Sequence, residues 1–594
     1  MKQFLVTVAG VVFGMALFVF VGFLIVAAMV AGAMAPAPMT GRNVLVLDLR
    51  GGLSDQEPQS PLTLFAGKSL SVLGIEETLH RAQSDGRIAG LLVRLPEGGM
   101  PPAAADELAG AFRRFRSAGK PILAYSQGLY AAGTVASTYE LAAASGDIWM
   151  QPSSAFQVTG LARQDIFFKR LFDAHAVKPD YQQRYEYKTA VNPYLYSDYT
   201  PAHRESELSW MGSVYDSTLQ SAAADRRRAP ADLKALIEAG PYLAQDAKAK
   251  GLIDNVGQLH RAGKFLLAKA GAGARFVPFS EYAGREPVGQ EAGSFAAAKV
   301  AVILAEGDIM TGEGRAPNPL GGGQTIRSDD IAKAFYAAID DRQVKAIVFR
   351  ISSPGGSDTA SEQILAAVRA AKAAGKPVVV SMGTYGASGG YWIASQASEI
   401  IAEPTTLTGS IGVFGGKFAL GAALAKFGVD VRGVKVGGDF ADALGAAAPM
   451  TAGQRAAFSA WMDRIYDGFV GRVAEGRRLS EDRVRQIAKG RVWTGAQAKS
   501  LGLVDRLGGF YDAIDRAQAL AGIKGAPRLE FFNTETSPIE ALRRVVGASA
   551  QGAGILARAV DLADAPASRA LVGELDDARL RAQGATVLMP GLVR

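Results

Sequence analysis

The chain of 594 residues contains no cysteine, which removes disulfides, thiolate catalysis and cysteine-ligated zinc together. Histidine is almost as scarce: His80, His175, His203 and His260 are the only four. No two of them stand at i,i+4, so the pattern offers no histidine metal site, and each reads as a surface or packing residue. Charge of one sign is also missing. The formal net charge is +7, from 64 basic and 57 acidic residues. The densest basic cluster, Arg226-Arg227-Arg228, reads as a solvated helix end, and without a basic stripe no nucleic-acid partner is expected.

What is present begins with one long apolar run. No residue from Gln3 to Thr40 is charged, and Phe4 to Met34 is almost wholly apolar. A bilayer core needs about 20 such residues in a helix, whereas the apolar region of a cleavable signal peptide spans only about 7–15. Ala33-Met34-Ala35 resembles a cleavage site, but Pro36 is a poor neighbour for one. Residues 1–36 are therefore expected to form an uncleaved transmembrane anchor. Lys2 and the amino terminus favour a cytoplasmic start, which puts the soluble part on the far side. No second run of comparable length occurs, so a single span is expected.

The soluble part is written twice. Asn43-Val44-Leu45-Val46-Leu47-Asp48-Leu49 is a buried-strand signal, and Lys299-Val300-Ala301-Val302-Ile303-Leu304 repeats it. Arg94 with Gly98-Gly99 parallels Arg350 with Gly355-Gly356, and Gly119-Lys120-Pro121 parallels Gly375-Lys376-Pro377. Gly251-Leu252-Ile253-Asp254 echoes Gly502-Leu503-Val504-Asp505. Matches in the same order at near-constant spacing mark an internal repeat. In the second copy Lys345 to Arg350 reads as a strand, Ala360 to Ala374 as a helix stopped by Gly375 and Pro377, and Val378-Val379-Val380 as the next strand. Alternating strands and helices predict parallel α/β layers. The expected divisions are 43–280 and 299–533, with the boundary in Ser280 to Ala298. Beyond them lies a tail, 534–594, with helical stretches and no strand pattern.

The copies differ at one string. The second holds Gly386-Ala387-Ser388-Gly389-Gly390, whereas Tyr130 to Ser137 in the first holds no glycine-flanked serine. The string fits the nucleophile elbow G-x-S-x-G, but that arrangement needs a histidine afterwards, and none follows. Alone, the string reads as a small-residue turn that lets a helix start pack closely on a strand. Ser352-Ser353-Pro354-Gly355-Gly356 ends the preceding strand, where backbone N–H groups of Gly356 and Gly389 could face a developing oxyanion. A serine without histidine can be activated by a lysine of depressed pKa, and spacing does not choose among the many lysines.

Taken together, Tyr385 to Trp392, Ser353-Pro354-Gly355-Gly356, Leu407-Thr408-Gly409-Ser410-Ile411-Gly412-Val413 and Tyr187-Lys188-Thr189-Ala190-Val191-Asn192-Pro193 resemble the signal peptide peptidase (protease IV) family in its long, duplicated, membrane-anchored form. The resemblance runs from the anchor to about residue 530. It implies two tandem crotonase-like (ClpP-like) α/β domains, the first bearing the lysine and the second the serine. It further implies a Ser-Lys dyad, with Ser388 as nucleophile and Lys188 as general base. Ser410 is either a residue that orients the lysine or a hydroxyl in a glycine-rich turn. No metal and no cofactor are implied. The implied partners are signal peptides and other apolar peptides, the lipid bilayer, and three further copies in a homotetramer. The implied address is the bacterial inner membrane, with the catalytic part periplasmic. Two other classes share the fold: a crotonase-type acyl-CoA enzyme and a catalytically silent membrane scaffold.

Overall fold

A computed structural model describes residues 39–56, 70–285, 298–314 and 324–532, with the backbone of Val587–Leu588. The anchor segment lies outside the described residues, as do most of the boundary and most of the tail. No helix among the described residues is long and apolar enough to cross a membrane.

The apolar runs become parallel strands. In the first half the order across the sheet is Asn255–Val256, Gly146–Met150, Ile122–Ser126, Ile88–Arg94, Asn43–Asp48 and Arg275–Pro278. In the second half it is Arg506–Leu507, Glu399–Ala402, Val378–Ala387, Val344–Ser353, Lys299–Glu306 and Arg528–Phe531. These are the same six strands in the same order. Central strands such as Ile88–Arg94 are buried along nearly their whole length, because helices cover both faces of such sheets. The strand read as Val378-Val379-Val380 continues to Ala387, directly before Ser388. The helix read from Ala360 starts at Asp358, where the Ser357 side chain accepts from the Ala360 amide and caps it.

Matching hydrogen bonds carry the repeat down to single atoms. Tyr139 Oη donates to the Leu252 carbonyl at 2.9 Å, and Tyr391 Oη donates to that of Leu503 at 2.8 Å. Arg226 pairs with Asp254 as Arg477 pairs with Asp505. These pairs settle the register that the sequence leaves ambiguous. Three residues before Tyr391 stands Ser388, and three before Tyr139 stands Ala136.

The halves are joined at several places, two of them prominent. Lys178–Arg184 of the first pairs antiparallel with Val413–Ala419 of the second. Phe172, Tyr181, Tyr194 and Phe418 close ring to ring around this ribbon. Elsewhere, Arg350 is fully buried between Asp55 and Glu107, at 2.5 and 2.6 Å. Its first-copy counterpart, Arg94, remains near the surface beside Asp48.

Candidate active site

Ser388 occupies the junction between a long strand, Val378–Ala387, and a short helix, Gly389–Ala394. Its backbone is held at φ 55°, ψ −117°, a conformation that non-glycine residues adopt only where the surroundings enforce it. Here the Ser388 amide donates to Gly409 and its carbonyl accepts from Trp392, at 2.9 and 2.8 Å. Small neighbours are required. A Cβ on Gly390 would lie 2.6 Å from the Ser353 carbonyl oxygen. One on Gly389 would lie 3.0 Å from the Gly356 amide nitrogen and 2.9 Å from Ser361 Oγ. The structure thus places Gly389 against the Gly355–Gly356 segment.

The lysine arrives from the other half. The antiparallel ribbon ends with Arg184 opposite Val413, which puts Lys188 and Ser410 just beyond the same end. Lys188 Nζ lies 2.8 Å from Ser388 Oγ, 3.0 Å from the Ser410 carbonyl oxygen and 3.0 Å from Ser410 Oγ. All three residues are fully buried. Burial alone drives the Lys188 amine well below its ordinary pKa. A neutral amine has two N–H bonds and one lone pair. With the two Ser410 oxygens accepting the N–H groups, the lone pair faces the Ser388 hydroxyl. All five residues singled out from the sequence therefore fall within one neighbourhood: Ser388 with Lys188 and Ser410, and Gly389 with Gly356.

One contributor is invisible in the sequence. Gly490 has φ +82°, and a Cβ there would lie 2.5 Å from both Lys188 N and Lys188 Cβ. Around it, Tyr187 donates to the Lys489 carbonyl, Gly490 to that of Ile411 and Ser410 to that of Arg491. This single turn clasps the backbones of both Lys188 and Ser410. Locally it reads as an ordinary glycine after the helix Glu481–Ile487, and nothing in its flanks points to residues 300 positions away.

His203 is a packing residue. It is buried beside the partly buried Asp165 and Glu207, their ligand atoms within 4.8 Å of one another. Arg163 already supplies a cation there, at 2.8 Å from Asp165 and 3.5 Å from Glu207. Burial pushes His203 down to about 4, so the imidazole is neutral at ordinary pH.

Fold and site together define a class: a duplicated α/β enzyme whose serine–lysine contact spans its two halves. Peptidase family S49 matches residues 114–272 and 370–524, one match in each half. Protease 4 of Salmonella typhi is 33% identical over 530 residues, covering 84% of this chain and 82% of its own. Protease 4 of Haemophilus influenzae is 31% identical, covering 87% and 86%. The chloroplastic serine protease SPPA of Arabidopsis thaliana is 28% identical, covering 81% and 69%. The chain belongs to peptidase family S49 and is a serine protease of that family.

Proposed function

We propose that the chain is a membrane-anchored endopeptidase that degrades cleaved signal peptides and similar apolar peptides through a Ser-Lys dyad. The observation that carries this reading is the buried 2.8 Å contact between Lys188 Nζ and Ser388 Oγ. Ser388 Oγ attacks the scissile carbonyl carbon as the neutral Lys188 amine takes its proton. Amides of Gly356 and Gly389 donate to the oxyanion of the tetrahedral intermediate. The ammonium then returns the proton to the leaving amine, which departs and leaves an acyl-enzyme. Water, deprotonated by Lys188, attacks the ester and frees Ser388. Ser410 holds the amine in line throughout. No metal or cofactor takes part.

In this reading residues 43–280 and 299–533 are crotonase-like domains. Residues 1–36 span the bacterial inner membrane, with the site on the periplasmic side. A homotetramer is part of the proposal, and an exposed segment supports it. The register set by Arg226 and Arg477 carries Lys178–Arg184 onto residues 429–435, which pair with no strand among the described residues. Val434 there, and Val436 just beyond, are 101% and 98% exposed. A neighbouring subunit would cover them as Val413–Ala419 covers the first-copy strand.

A crotonase-type acyl-CoA enzyme would share the Gly-Gly turn but gives the Lys188–Ser388 contact no task, and neither does a silent scaffold. The test is labelling by a fluorophosphonate probe together with cleavage of an apolar peptide. Both should be lost in Ser388→Ala, and cleavage should fall by at least about 10³-fold in Lys188→Ala. A wild-type chain that neither labels nor cleaves would leave the rivals standing.

A further inference from the structure

Gly355–Gly356 forms a two-residue strand with a neighbour on each edge. On one edge lies Asp308–Met310, with Ile309 opposite Gly356. On the other lies Val587–Leu588, antiparallel, with Leu588 opposite Gly355 and Val587 opposite Gly356. The same pair of residues lies beside the Val413–Ala419 strand. This distant segment therefore enters between the Gly-Gly strand and the ribbon that carries Lys188 to the serine.

The direction of the hydrogen bonds makes the placement specific. Successive amides of a strand point to opposite edges. The Ser357 amide donates to the Ile309 carbonyl, at 2.8 Å. The N–H and C=O of Gly356 must then face the other edge, where Val587 lies. The donor assigned above to the oxyanion thus points at the backbone of this chain. The segment also has the chemistry expected of a substrate: from Gln583 to Val593 no residue is charged. Adding an extended strand to a free edge is a general way of seating a peptide, with main-chain bonds giving affinity and side chains giving selectivity.

We propose that Val587–Leu588 is a built-in occupant of the substrate strand position, an autoinhibitory segment that must leave Gly355–Gly356 before a peptide is cleaved. The proposal rests on the Ser388–Lys188 reading for what is inhibited, but not for where the segment sits. A tethered segment acts at an effective concentration on the order of 1 mM. With an intrinsic Kd about a tenth of that, it would reduce access to the site by about tenfold.

The full-length Val587→Pro variant tests this, because proline removes the amide that faces Gly356 and blocks strand pairing. Hydrogen–deuterium exchange across Ser353–Ser357 should be faster in the variant than in the wild type. For an apolar peptide, KM should fall by up to about tenfold with kcat unchanged, and a synthetic peptide spanning residues 584–591 should restore the wild-type KM competitively. Unchanged exchange would overturn the placement, and faster exchange with an unchanged KM would overturn the inhibition. If neither protein cleaves peptide, the Ser-Lys reading fails. Exchange would still decide whether the segment sits on Gly355–Gly356.

Discussion

Burial, and no charged partner, lowers the pKa of Lys188, which sets the direction of its titration. As pH rises through its lowered pKa the base becomes available, so kcat/KM should climb along an acid limb well below 10.5. Lys188→Arg keeps the length but stays protonated, and should be inactive at every pH, as peptide assays across a pH series will show. Between the lowered value and 10.5 the unfolded chain binds the extra proton, so this residue makes stability rise with pH. Lys188→Met should therefore raise Tm most at acid pH, in melts from pH 4 to 9. At Gly389 the Cβ of alanine would press on Ser361 Oγ and the Gly356 amide. Gly389→Ala should lower kcat by about 10²–10³ while probe-free folding, read by circular dichroism, is kept.

At the scale of elements, the helix Pro102–Ser117 meets the second half through the buried acids Asp106 and Glu107, and Glu140 of Val135–Ser145 lies behind Asp106. Asp106 accepts from both the amide and the hydroxyl of Thr405, at 3.1 and 2.6 Å. Burial and the neighbouring Asp106 push Glu140 well above the carboxylate range. Glu306, partly buried beside Asp55, is pushed up to about 7 by desolvation and by that neighbouring acid. A carboxyl raised on folding stabilises below its unfolded pKa, and that stability is lost as pH rises through the folded value. This junction should thus weaken from pH 5 towards pH 8, against the trend of Lys188. Glu140→Gln removes one titration while keeping a donor, and should flatten the alkaline fall in Tm measured by calorimetry. Arg350 is the opposite case, a buried cation balancing Asp55 and Glu107. Arg350→Met should cost about 3–5 kcal/mol in denaturant melts, since two carboxylates lose their partner.

For the whole molecule, the duplication leaves an asymmetry. The first-copy ribbon strand finds its partner within the chain, whereas its counterpart, residues 429–435, finds none among the described residues. Val434→Asp with Val436→Asp should shift the assembly towards monomers in light scattering and leave the monomer folded, because neither side chain touches the core. A tetramer that persists would refute that interface.

Much of this was legible in the residues. Apolar strand runs, the Gly-Lys-Pro stops and the repeat spacing reflect local backbone preference and burial, which a chain carries in its own order. So does the string around Ser388, where only small residues tolerate the approach of Ser353 and Gly356. The lysine is different: spacing does not single out Lys188 among the others, and only family resemblance pointed to it. Tertiary structure brought it to Ser388 from 200 residues away, through the Lys178–Arg184 ribbon and the turn at Gly490. It also depressed the amine by removing water from every side. The equivalence of Ala136 to Ser388, the Arg350 junction and the strand at Val587–Leu588 likewise became visible only through long-range packing. Contacts of that kind leave no periodicity in the segments that make them, and so only the folded chain displays them.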